Sequence, residues 1–146
     1  MHARMRMEKV APEAYRKVME LHAYAQATVH PALLELVKLR ASIINGCAYC
    51  VDMHSSDAMD SGEDLRRLFA LAAWRESPFF SAQERAALAL TDAVTRVADA
   101  GVPDDVWDEV TSHFTEKEAA DLVMAIIMMN SFNRIAISTR KVPARP

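Results

Sequence analysis

Asn45-Gly46 divides two stretches that both read as helix, and it constrains the chain more than any other pair of residues. Before it, Pro31 to Ile44 carries Leu33, Leu34, Leu36, Val37, Leu39, Ile43 and Ile44 over most of a helical circumference, as buried helices do. After it, Cys47 to about Met59 or Asp60 keeps a helical pattern. Asn-Gly suits a reversal of the chain, so the two helices are expected to pack antiparallel. Residues equidistant from the turn then become neighbours. The remaining composition agrees, since 51% of the 146 residues are hydrophobic and only 3 are glycine. That balance favours an all-α fold over a turn-rich β-fold. We expect a helical bundle of six to seven helices in one domain over residues 1–146.

The second helix carries the only two cysteines, Cys47 and Cys50, followed by His54. At i, i+3 and i+7 the three share one face, with Cys50 and His54 one turn apart. Asn45 is expected to cap this helix, placing Cys47 in its first turn. Amide groups exposed there favour anions, and a thiolate is one. A neighbouring imidazole can take the thiol proton and make the sulfur a nucleophile at neutral pH. Two thiols so placed can also close a disulfide. Glu35 lies about ten positions before the turn and His54 about nine after it, each roughly 14 Å along its helix. The carboxylate is therefore expected beside the ring, where it can orient it and accept a relayed proton. Glu35 and Lys38 are charges in a largely apolar stretch and demand an explanation.

Elsewhere the periodicity predicts helices over Pro12–Thr28, Glu63–Arg75, Ser81 to about Ala98, Pro103 to Phe114 and Ala119 to about Thr139. Ser81 with Glu84 and Thr115 with Glu118 have the spacing of capping boxes, and Ser61 to Asp64 offers another. His22, Tyr24 and His30 are read as ordinary helix residues, His113 as solvated or capping, and Arg66, Arg67 and Arg75 as solvated. Phe79 and Phe80 follow a proline break and are expected to tuck into a core or cover a neighbouring subunit's site. Asn130, Asn133 and Arg134 interrupt the most apolar segment and should form a hydrogen-bonded cluster or a subunit contact. The tail from Lys141 should be loosely held.

A formal charge of −3 and a pI near 5.9 give no reason to expect nucleic acid or an anionic membrane as partner. No apolar run is judged to approach the roughly 20 residues of a bilayer span. The charged start, Met1 to Glu8, lacks the apolar core of a signal peptide, so a cytoplasmic location is expected. No glycine-rich nucleotide fingerprint is present, and no cofactor is expected.

Glu35, Asn45-Gly46, Cys47, Cys50 and His54 together resemble the core motif of the AhpD-like alkylhydroperoxidases of the carboxymuconolactone decarboxylase superfamily. The likeness is strong from Pro31 to Met59 and extends to Trp74–Ala87 and Asn130–Ala136 in the manner of short, single-unit members. It implies a peroxidase in which Cys50 attacks a hydroperoxide, Cys47 resolves the product, and Glu35 with His54 relays the proton. It also implies a thioredoxin-like or lipoyl-bearing reductant. Where the best-studied peroxidases carry a second histidine before the second cysteine, this chain has Tyr49. Three other readings stay open: a metal site on Cys47, Cys50, His54 and Glu35; a decarboxylase of the superfamily, whose members generally lack the paired thiols; and a non-enzymatic disulfide switch. A homo-oligomer is expected, with a trimer of dimers favoured, because short members lack the second half that longer ones contain.

Overall fold

Proline at the first helical position opens two of the helices that build the core, its missing N–H being one that a helix start leaves unpaired anyway. In the computed structural model, which describes residues 2–143, one short turn of helix, α1 (Met7–Val10), precedes α2 (Pro12–Thr28) and α3 (Pro31–Asn45). Then come α4 (Ala48–Asp60), α5 (Leu65–Ala70) with a 3₁₀ continuation over Leu71–Glu76, α6 (Ala82–Thr95), α7 (Val97–Ala100), α8 (Asp104–His113) and α9 (Glu116–Thr139). All regular structure among the described residues is helical, as the composition implies.

α3 lies at the centre, packed against α4, α6 and α9. One face gives Leu36 and Leu39 to a cluster with Leu68, Leu71, Trp74, Phe80 and Leu88. The opposite face gives Leu34, Val37 and Ala41 to a larger cluster with Leu122, Ile126, Met128 and Met129 of α9. Each fully buried leucine contributes about 1.5–3 kcal/mol of transfer free energy. Contrary to the expectation from the sequence, α9 has the length and apolar composition of a membrane-crossing helix, but half of its most apolar stretch is buried in this core.

Most polar groups inside the bundle are matched. Asn45 Nδ2 donates to Asn130 Oδ1 at 3.0 Å and Asn133 Oδ1 at 2.9 Å, and Asn133 Nδ2 donates to Ser42 Oγ at 3.0 Å. Arg134 donates to Asn130 Oδ1 at 2.7 Å, completing the expected cluster. Arg40 of α3 is buried with Asp92 of α6, Nε to Oδ1 at 2.6 Å and Nη2 to Oδ2 at 3.0 Å.

Several boundaries depart from the periodicity. The helix expected over Glu63–Arg75 begins at Leu65, capped by Asp64, whose side chain accepts from Arg66 N–H, and it tightens to 3₁₀ from Leu71. The helix expected to reach Ala98 breaks at Arg96. Pro103 is the N-cap of α8 and not its first turn. The boxes at Ser81–Glu84 and Thr115–Glu118 are both formed. Arg67 is not merely solvated: it is held by Glu63 at 2.8 Å and Glu84 at 2.6 Å, while Arg75 reaches Asp92 at 3.3 Å. Phe80 is buried in the core as expected. Lys141, expected to be loose, is tied by its N–H to Ala136 O at 2.9 Å and rests over the Tyr49 ring. Residues 144–146 of the expected loose tail lie outside the described residues.

Candidate active site

The turn between α3 and α4 is built by Gly46 in the left-handed region (φ 68°), where a side chain would be strained. Gly46 N–H donates to Ile43 O at 3.2 Å and Cys47 N–H to Ser42 O at 3.0 Å, closing α3. Asn45 does not cap α4 as expected. It is the last residue of α3, and its amide is drawn to Asn130 and Asn133. Cys47 takes the N-cap position instead, its sulfur accepting from Cys50 N–H at 3.3 Å. Cys47 therefore precedes the helix, and Cys50 sits in its first turn.

The two sulfurs are joined as a disulfide. Cys47, Cys50 and His54 are all buried. The antiparallel packing brings Glu35 to His54, with Oε2 3.4 Å from Nδ1. That approach falls short of hydrogen-bond geometry, and both atoms end buried without such a partner. Asp57 Oδ2 lies 3.7 Å from the same ring nitrogen, and Lys38 Nζ lies 2.5 Å from Glu35 Oε1. Burial pushes the Glu35 carboxyl up, but His54 and Lys38 together outweigh it and hold the group below the usual glutamate range. Glu35, His54 and Asp57 offer donor atoms within 4.8 Å of one another, a set able to hold a cation, although the Lys38 ammonium already meets one carboxylate. The metal reading from the sequence used both thiols, which the disulfide removes as donors.

A cavity of about 840 Å³ opens onto these groups, within the range of small-molecule sites. Cys50, His54, Glu35 and Lys38 line it together with Met19, Met53, Met128, Met129, Phe132 and Tyr15; Cys47 is not among the lining residues. The N-terminal segment adds Ala3, Met5 and Arg6, held against α9 by Arg4 N–H to Thr139 O at 2.8 Å.

The four residues singled out from the sequence thus lie along the first half of α4, the cysteines at its head and His54 with Glu35 at its middle. Three neighbours were missed as site residues. Lys38 and Asp57 carry a local signal, each three positions from Glu35 or His54 and so on the same helical face. His22 arrives from α2, which no local spacing reveals. It lines the cavity, and burial first, then Lys38 and His54, hold its imidazole below the ordinary value.

A model of the carboxymuconolactone decarboxylase family matches residues 12–93. The chain is similar to the uncharacterised protein YdfG of Bacillus subtilis, with 40% identity over 139 residues that cover 94% of this chain and 95% of the relative. It is also similar to the crystal structure of a protein of unknown function from Agrobacterium tumefaciens, whose suggested role is antioxidant defence of the AhpD kind. That match has 40% identity, a TM-score of 0.96, and covers 99% of this chain and 100% of the other. A peroxidase-related protein with an alkylhydroperoxidase AhpD core, from Ralstonia eutropha JMP134, matches with a TM-score of 0.81 over 94% of this chain and 74% of its own; at 18% identity it bears on the fold alone.

Proposed function

The chain belongs to the carboxymuconolactone decarboxylase family as an AhpD-like member, and from that premise we propose that it is a thiol-dependent peroxidase reducing organic hydroperoxides or hydrogen peroxide. The observation that carries this reading is the paired cysteines at the head of α4, one on the wall of a cavity, with an imidazole one turn behind and a carboxylate 3.4 Å from that ring.

In the reduced protein His54 takes the proton of Cys50, and Glu35 steadies the ring. The Cys50 thiolate attacks the distal oxygen of the hydroperoxide, the O–O bond breaks, and the alcohol leaves with the proton returned by His54. Cys50 is now a sulfenic acid. Cys47 attacks its sulfur, water leaves, and the disulfide closes, the two thiols having supplied two electrons. An external dithiol, thioredoxin-like or lipoyl-bearing, restores the pair by exchange. Cys50 lines the cavity and Cys47 does not, which supports this division of roles.

One equivalent of an organic hydroperoxide added to the reduced protein should consume both thiols, and a dithiol should return them through many cycles. Glu35→Gln and His54→Ala should slow the peroxide step by about 10²-fold or more, the usual scale of a lost acid–base group, while strong oxidants still close the disulfide. Thiols untouched by hydroperoxide, or both variants reacting at the wild-type rate, would remove the proposal.

A homo-oligomer, a trimer of dimers in particular, remains our expectation for assembly. Met124, Ile127 and Ile137 of α9 and Phe69 of α5 are exposed apolar side chains that a second copy would cover. Sedimentation at micromolar concentration should show no monomer, and a clean monomer refutes it.

A further inference from the structure

Lys38 is a member of the site that the peroxidase scheme leaves without a part. It is 3% exposed, on a helix whose inward positions are mostly apolar, and lysine is almost never so buried unless paired. Its ion-pair partner among the described residues is Glu35, three positions back on the same face. The two oxygens of the Glu35 carboxylate are divided between two partners. Here the ammonium takes Oε1 at 2.5 Å, and the other oxygen, Oε2, is the one facing His54 Nδ1 at 3.4 Å.

We propose that Lys38 is a positioning residue of the relay: its buried ammonium keeps Glu35 a carboxylate and turns Oε2 of that carboxylate toward the His54 ring. The inference rests on the peroxidase reading for its kinetic consequence, but not for its structural one. Other groups facing Glu35 do not substitute for Lys38. α4 offers His54, the relay partner itself, and Asp57, a like charge; α2 offers His22, which its surroundings disfavour as a cation. Asp92, the buried charge of α6, is engaged by Arg40 and is not among the groups that act on Glu35. Without Lys38, burial of the carboxylate is opposed by His54 alone. Glu35 then binds a proton at higher pH, or draws one onto His54 and occupies the base that should receive the thiol proton.

The sign follows from the anion being the working form. Burial acts to raise the Glu35 carboxyl, and His54 and Lys38 lower it; deleting Lys38 removes one of the two lowering partners. The anion is lost on going down in pH, so its loss begins earlier in the variant.

The experiment compares wild type, Lys38→Met and Lys38→Arg, with Lys38→Gln replacing the methionine variant should that one not fold. The ¹³C signal of the Glu35 carboxyl is followed against pH in the oxidised protein, and thiol oxidation by an organic hydroperoxide is followed against pH in the reduced protein. In Lys38→Met the carboxyl should titrate at clearly higher pH than in wild type. The ratio of wild-type to variant rate should grow by about tenfold between pH 8 and pH 5, the scale of one lost charge neighbour. Lys38→Arg should restore both. A Glu35 signal that titrates alike in all variants, or a rate lowered by the same factor at every pH, overturns the assignment. Should wild type itself fail to react with hydroperoxide, the peroxidase reading falls, and the carboxyl titration still decides the role of Lys38.

Discussion

Cys50→Ser should leave a protein whose remaining thiol is nearly indifferent to an organic hydroperoxide, whereas Cys47→Ser should react once and stop. Removing a residue that forms the covalent intermediate costs on the order of 10³–10⁶ in rate, and the surviving neighbours do not make up the difference. The asymmetry comes from the geometry at the start of α4. Cys50 is on the cavity wall and one turn ahead of His54, the placement that the proposed nucleophile requires. Cys47 precedes the helix, turns back to accept the Cys50 N–H, and is absent from the cavity lining. In Cys47→Ser the sulfenic acid at Cys50 has no resolving partner, so mass spectrometry should find one added oxygen, or its adduct with a sulfenic-acid trap, and no disulfide. Equal rates for the two variants in stopped-flow mixing would mean that the division of roles between the sulfurs is wrong.

Asp92→Ala should be the most destabilising single change away from the dithiol. Asp92 is buried at the meeting point of Arg40, Trp74 and Arg75, accepting from Arg40 through both oxygens and from Trp74 Nε1 at 3.3 Å. Removing it strands a buried guanidinium, whose remaining bonds run to the Leu71 and Ala72 carbonyls. Breaking such a pair costs about 3–5 kcal/mol, a large part of the roughly 5–15 kcal/mol that holds a protein of this size folded. The melting temperature should fall by about 10 °C or more. Replacing both partners, Arg40→Met with Asp92→Leu, should recover part of the loss, because no unpaired charge is then buried. Thermal unfolding of Asp92→Ala within a degree or two of wild type would show that the pair does not hold α3 to α6.

The helical architecture and the core of the site were legible because both are short-range. A tight Asn45-Gly46 turn and a fixed rise per residue are enough to bring Glu35 against His54, and the structure has them 3.4 Å apart. What could not be read depends on partners far along the chain. Asn45 has the chemistry of an N-cap, yet residues 85 and 88 positions later claim its amide, and the cap falls to Cys47. Arg67 looked solvated because nothing local shows that Glu84, 17 positions on, will sit beside it. The 3₁₀ segment at Leu71 is equally invisible to periodicity, since the carbonyls of Leu71 and Ala72 bend toward Arg40 of another helix. His22 reaches the cavity only through the packing of α2.

Six thioethers, those of Met5, Met7, Met19, Met53, Met128 and Met129, border the same chamber as Cys50. Unbranched and polarisable, they let the walls reshape around guests of different outline. They are also oxidisable by the very compounds the chamber would admit. A sulfoxide at the half-exposed Met19 or Met53 would make the entrance wetter, whereas one at the fully enclosed Met128 or Met129 would wedge a polar oxygen between α9 and its neighbours. In the proposed peroxidase, a chamber walled in this way requires Cys50 to outpace its own lining.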